Sequence, residues 1–270
     1  AHLARTMNLP ESLWRALFGM GRVAQDVEQA KLYFEGAILI AEDLGGEQGQ
    51  SLSTFSRTRL YHQALELAYQ EKDENLIFDL SERQKLRALK DRAPPAEHSQ
   101  QRFKTLQDAR DVYKEKVFQK IFDRKNSSLN AAQLAYQNAR ADFAQSQNES
   151  LNQDSLVPIE LNRFQKVLPE NVGVVIVHSG YQEVRVQVIH RQGIKTSSTA
   201  LSDQEFRNTL NEISSAMKNF GPIDAALSDL GEKILNPVAD WLAPGKHLVF
   251  ILPEDYAHLP IAALKHRAKP

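Results

Sequence analysis

The sequence predicts an α+β chain, with an all-helical N-terminal part followed by a mixed α/β layer. Three observations carry this. From Trp14 to about residue 150, apolar residues recur at three- and four-residue spacing, the period of one helix face. After Val172 the period changes, and Val184, Val186 and Val188 alternate with polar residues as on a strand. Near the end, five consecutive apolar residues, Leu248 to Leu252, read as a strand buried on both faces. Such runs belong to sheets covered on both sides by helices.

Composition sets the bounds. The 270 residues suffice for one large or two ordinary domains, and 42% hydrophobic with 25% charged residues is the balance of a globular protein. A formal net charge of -1 gives no whole-chain basic footprint for nucleic acid. No run of 18 apolar residues predicts a membrane span. The first residues, Ala1-His2-Leu3-Ala4-Arg5, lack the apolar core of a signal peptide and an initiator Met. They read as the tail of a helix, so the chain is expected to be a fragment of something longer. The absence of cysteine excludes disulfides, thiolate zinc sites and a cysteine nucleophile within these residues, and makes a cytoplasmic origin the expectation.

Residues 1–45 are expected to be helical, with Pro10 in a first turn, where its missing N–H costs nothing. Trp14, Leu17, Phe18 and Gly21 mark one helix; Val27, Ala30, Phe34, Ala37 and Leu39 mark a second, with Asp26 at the turn. Gly45-Gly46-Glu47-Gln48-Gly49 reads as a loop. A second helical pair follows around 52–70 and 73–92, carrying Leu60, Ala64, Leu67 and Ala68, then Leu76, Ile77, Leu80, Arg83, Leu86 and Leu89. Both pairs resemble tetratricopeptide repeats, helical pairs of about 34 residues that bury their faces against neighbours. Arg83, Lys85 and Arg87 are expected on a solvated helix face, the alternative being a salt-bridged seam against the next domain.

Ala93-Pro94-Pro95-Ala96 begins a linker. Residues 99–123 and 129–150 each carry one narrow apolar stripe, the pattern of a helical hairpin with a coiled-coil seam, expected to serve as a spacer. Val172 to His178, Tyr181 to Val188 and Ile194 to Leu201 then predict a three-stranded meander, the second strand half-exposed, with turns at Ser179-Gly180 and Gln192-Gly193. Ser202-Asp203-Gln204-Glu205 is a capping box, opening a helix with Phe206, Leu210, Ile213 and Met217. Another helix carries Leu227, Leu230, Ile234, Leu235, Val238 and Trp241, with a kink expected at Pro237. Ala243-Pro244-Gly245 turns into the final strand, which Pro253 ends. The order is β-β-β-α-α-β.

The stretch Ile234-Leu235-Asn236-Pro237, the apolar strand, the turn Pro253-Glu254-Asp255 and the segment Leu259-Pro260-Ile261-Ala262-Ala263-Leu264 together resemble the opening of a CHAT domain. CHAT domains are caspase- and separase-like cysteine peptidase modules often found behind tetratricopeptide repeats. The resemblance is strongest over about 222–264. The run Phe78 to Leu89 resembles the degenerate last repeat before such domains, and many of these proteins carry a linker hairpin. The turn here departs from the family's Pro-Asp-Gly pattern by lacking the glycine. On this resemblance the chain divides into TPR-like repeats (1–92), a helical hairpin linker (93–165) and the N-terminal part of a caspase-like domain (166–270). It further implies a parent cysteine endopeptidase acting on a polypeptide substrate, its repeats docking a protein partner or regulator. In some relatives that partner is an RNA-guided effector complex; in others the substrate is a pore-forming defence protein. The alternative is a non-catalytic interaction scaffold with a degenerate CHAT domain.

The chemistry such a domain requires is missing from these residues. A caspase-like peptidase needs a thiolate and an imidazole, and in the family both come after a later strand. His178, His190, His247 and His258 match no His-Gly motif, so each is expected to be structural or superficial. No G-x-S-x-G elbow and no H-E-x-x-H pair occurs. Gly19-Met20-Gly21-Arg22-Val23-Ala24 fits the G-x-G-x-x-A dinucleotide fingerprint, but a helical pattern precedes it where a strand is needed, and a close helix contact is the expected role. No catalytic, cofactor-binding or metal-ligating residue is assigned, and the chain alone is expected to be inactive. A half sheet with an uncovered edge and apolar face would also make it poorly stable alone.

Overall fold

Short breaks in the helical period set where the first elements stop. The computed structural model describes residues 1–47, 54–90, 100–123, 128–149, 160–179, 183–242 and 247–252. The chain forms two units, Ala1–Leu161 and Asn162–Pro270. Among the described residues no helix is long and apolar enough to cross a membrane.

The first unit is helical: α1 (His2–Thr6), α2 (Pro10–Val23), α3 (Val27–Glu47), α4 (Thr54–Gln70), α5 (Glu74–Lys90), α6 (Gln100–Phe118) and α7 (Leu129–Glu149). Pro10 occupies the first turn of α2. The carboxylate of Asp26 accepts from the N–H groups of Glu28 and Gln29 and opens α3; Asp73 accepts from Leu76 N–H at 3.1 Å and opens α5. Donors at a helix start have no partner inside the helix, so these aspartates satisfy what would otherwise be orphans. α1 and α4 end alike. Asn8 (φ 51°) and Lys72 (φ 56°) are left-handed, and the next residues' N–H groups return to Ala4 O (2.8 Å) and Ala68 O (3.0 Å). These are Schellman ends built without glycine.

α3 is longer than expected. It continues through Gly45 and Gly46 to Glu47, where a loop is predicted. Glycine weakens a helix by about 1 kcal/mol relative to alanine. The buried run Ala37 to Ala41 immediately upstream anchors α3 in the core, and tertiary packing overrides that local weakness. Gly21 of α2 lies against the Phe34 ring of α3, where a Cβ would stand 2.7 Å from the ring.

The hairpin does more than space its neighbours. Tyr113 of α6 stacks on Tyr136 of α7 at 5.6 Å, and Phe103 meets Phe143 at 5.5 Å. These residues join one continuous apolar core with α2 to α5. α6 runs on as one π-turn, Gln119–Asp123, and the Arg5 guanidinium lies over Phe118 and Phe122 at 5.7 and 5.2 Å.

The second unit contains α8 (Leu161–Val167), β1 (Val172–Ser179), β2 (Glu183–His190), β3 (Gly193–Ser202), α9 (Asp203–Lys218), α10 (Asp224–Leu235), a 3₁₀ turn (Asn236–Trp241) and β4 (His247–Ile251). The strand order is β3-β2-β1-β4, antiparallel within the meander and parallel between β1 and β4. The capping box forms as the sequence predicts: Ser202 Oγ accepts from Glu205 N–H at 3.2 Å, and the Glu205 carboxylate accepts from Ser202 N–H at 2.9 Å. α10 stops at Leu235, and Pro237 sits in the first turn of the 3₁₀ segment, so the expected kink is a change of helix type. α9 ends in a third Schellman motif, with Phe220 left-handed (φ 53°) and Gly221 N–H on Ala216 O at 2.7 Å.

α9 and α10 cover one sheet face. Phe206, Leu210, Leu227 and Ile234 pack on Val175, Val184, Val186 and Val188. Two burial expectations are revised. β2 is expected to be half-exposed, but Gln187 and Ile189 on its other face are fully buried, as are Val174 and Ile176 of β1. These side chains on the face away from α9 and α10 are therefore buried where the sequence suggests exposure. β4 is expected to be buried on both faces, but Val249 is 49% exposed, because β4 ends the strand order among the described residues. Pro253 and the Leu259–Leu264 segment lie outside the described residues, as do the turns at Gly180 and Ala243-Pro244-Gly245.

Candidate functional site

The densest polar arrangement lies inside the helical unit. Helical spacing builds it. Glu35 and Glu42 are two turns apart on α3, Asp79 and Arg83 are one turn apart on α5, and Arg110 and Lys114 are one turn apart on α6. Each pair therefore shares one face of its helix. Arg83 is the centre, with only 4% of its side chain exposed. Its Nε donates to Glu42 at 2.8 Å, and its Nη1 donates to both oxygens of Glu35 at 3.1 and 3.0 Å and to Asp79 at 3.4 Å. The sequence expectation of a solvated Arg83 is overturned. Its partners lie inside the same helical unit, so this is also not a seam against the following domain. The side chains of Lys85 and Arg87 lie outside the described residues.

Two further helices close the network. Arg110 donates to the Leu39 carbonyl at 2.8 Å and to Glu42 at 3.3 Å, and pairs with Asp43; Lys114 donates to Asp43 at 2.8 Å. Arg140 of α7 pairs with Asp79 at 2.8 Å, and its guanidinium lies over the Tyr136 ring at 5.5 Å. Tyr61 of α4 donates to Glu42 at 2.8 Å. Glu35, Glu42, Asp43 and Asp79 thus face Arg83, Arg110, Lys114 and Arg140, and Lys114 also pairs with the exposed Asp111 at 3.0 Å. The Nη2 of Arg83 and the Nε of Arg110 are buried without a hydrogen-bond partner.

Burial and charge pull these groups apart. Burial raises the pKa of Glu35 and outweighs the pull of Arg83. At Asp79 burial acts the same way, but Arg140 and Arg83 outweigh it and lower the pKa. For Arg83 burial opposes the charged form, yet Glu35, Glu42 and Asp79 drive its pKa well above the usual value. Tyr61 is pushed well up by burial and by the Glu42 charge. A set so paired holds helices together. It offers no nucleophile, and its ion pairs are made within the protein.

In the α/β unit one histidine is tied into the fold. The Nε2 of His190 donates to the Trp241 carbonyl at 2.7 Å, its Nδ1 faces the Val172 carbonyl at 3.4 Å, and its ring stacks on Trp241 at 6.2 Å. Gln165 of α8 donates to the His190 carbonyl at 3.1 Å. Gly173 makes room for the imidazole: a Cβ there would collide with its Cε1 and stand 2.9 Å from Nδ1. His178 is the penultimate residue of β1, opposite Arg185, and His247 opens β4. His258 lies outside the described residues. The glycines at 19 and 21 lie within α2, so the dinucleotide fingerprint has no strand before it. Among the described residues, no group of three His, Asp or Glu is placed to hold a metal ion.

Sequence reasoning missed the ion network because its partners are remote: Arg83 reaches 41 and 48 residues back along the chain. The available signal was the recurrence of charges beside the apolar residues of four helices. Comparison with protein-family models, curated proteins and solved structures finds no match to this chain.

Proposed function

We propose that the chain contributes the regulatory helices and the opening strands of a TPR-CHAT caspase-like cysteine endopeptidase of the cytoplasm. In this reading the helical unit binds a protein partner or regulator, and a polypeptide is the substrate of the parent enzyme. The observation that supports it best is β4. After the two-helix crossover α9–α10 it lies parallel beside β1, which is how a sheet covered by helices is extended. The motif residues Ile234, Leu235, Asn236 and Pro237 lie where α10 passes into the 3₁₀ turn, the element that precedes β4 in the chain. These residues hold no cysteine, so alone they perform no thiolate chemistry.

The gene sequence following Pro270 tests this. The expected continuation is a strand ending in His-Gly and then a strand ending in cysteine, with peptide hydrolysis abolished when that cysteine becomes alanine. A stop, or a continuation without both residues, favours the second reading: an interaction scaffold whose α/β unit is catalytically dead.

A further inference from the structure

β4 is held to the sheet from one side. It has five residues, pairs with β1 alone among the described strands, and leaves Val249 49% exposed. Segments with few buried contacts open locally at lower cost than the whole fold. One buried side chain touches the chain on both sides of the connection into β4. His190 ends β2, and its Nε2 donates to the carbonyl of Trp241, the last residue of the 3₁₀ turn, at 2.7 Å. The same ring meets Leu248, the second residue of β4. A Cβ at Gly173 would collide with His190 Cε1 and stand 3.1 Å from Leu248 Cδ2, so both side chains close over the same point of β1. The Trp241 ring lies on Gly193 at the start of β3, where a Cβ would stand 3.1 Å from it. The start of the 3₁₀ turn has its own anchor, Val238, which is fully buried in the core beneath α9 and α10. Its end is bonded to His190.

We infer that His190 is a latch for β4. It holds Trp241 and Leu248 against the β1–β2 pair, and without it β4 opens locally while the meander, α9 and α10 stay folded. The latch rests on strand pairing and is independent of the peptidase reading.

Hydrogen exchange of the 270-residue chain, read amide by amide at one pH, tests this. The ratio of β4 to β1–β2 exchange rates in the native chain sets the reference. His190→Phe keeps a flat ring and removes both nitrogens. It should raise that ratio by about tenfold, the effect of one net hydrogen bond. Ser202→Ala, which weakens the start of α9, should leave the ratio unchanged. If His190→Phe does not fold, His190→Gln, which keeps a donor, should raise the same ratio by a smaller factor. An unchanged ratio in the folded His190 variant overturns the inference. So does an equal rise in Ser202→Ala.

Discussion

The two units solve the problem of the interior differently. In the helical unit, charged side chains from α3, α5, α6 and α7 converge on the buried Arg83 and Arg140, their partners partly exposed. In the α/β unit the side chains packed beneath α9 and α10 include valines, leucines, isoleucines and Phe206, and the buried Gln187 and His190 bond to uncharged partners, Thr196 and the Trp241 carbonyl. Sheet alternation sorts side chains into two faces by position alone, whereas helices packed at angles leave converging positions that long charged chains can reach. The helical unit should therefore be sensitive to loss of charge balance, and the α/β unit to small changes of volume.

The largest effect should come from Arg83→Met. It strands Glu35, Glu42 and Asp79 around an uncharged side chain and should destabilise the first unit by about 3–5 kcal/mol. Chemical denaturation followed by a probe in that unit measures it. A loss below about 1 kcal/mol would show that the network is solvated and break the contrast. Gly173→Ala should be next, at about 1–3 kcal/mol, because the added methyl displaces the His190 ring from Trp241 and overpacks the site. Ser202→Ala should cost about 1 kcal/mol by removing the capping box of α9.

Phe220→Gly should act in the opposite sense. Phe220 is left-handed and 99% exposed, so glycine relieves strain and loses no contact; a gain of about 1 kcal/mol is expected. The smallest effects should appear as pH slopes. Asp79 has a lowered pKa, so its stabilisation is present above the ordinary carboxylate pKa and is lost as pH falls through its folded value. Glu35 has a raised pKa, so its contribution is complete in acid and is lost as pH rises. Asp79→Asn should flatten the acid loss of stability, and Glu35→Gln should steepen it. Identical slopes in the two variants would mean that the network does not separate these carboxylates.

Local chemistry was legible in the sequence. The capping box at Ser202, Pro10 in a first turn, the alternating valines of β2 and the helix contact at Gly21 all depend on residues within one element or one neighbouring pair. What depended on distant partners was not. Nothing near Arg83 marks it as buried, and nothing in Gln187 distinguishes an outward residue from one covered on the far face. Gly45-Gly46 reads as a loop because glycine disfavours helix locally, and only the packed run before it shows why α3 continues. The five apolar residues of β4 suggested burial on both sides, yet a strand at the end of the order leaves Val249 half in water. The candidate site was hidden because its charges come from four helices whose partners are far apart in the chain.

The parallel pairing of β4 with β1 also has a kinetic consequence. β1, β2 and β3 pair with strands adjacent in sequence and can zip through turns of a few residues. Val172 meets His247 only after the chain has laid down β2, β3, α9 and α10 between them. Closing that long loop costs entropy before any contact repays it. The meander is thus expected to be the early-folding half of the second unit, and the arrival of β4 its slow step. On a ribosome, the meander would emerge and pair well before its last strand had been made.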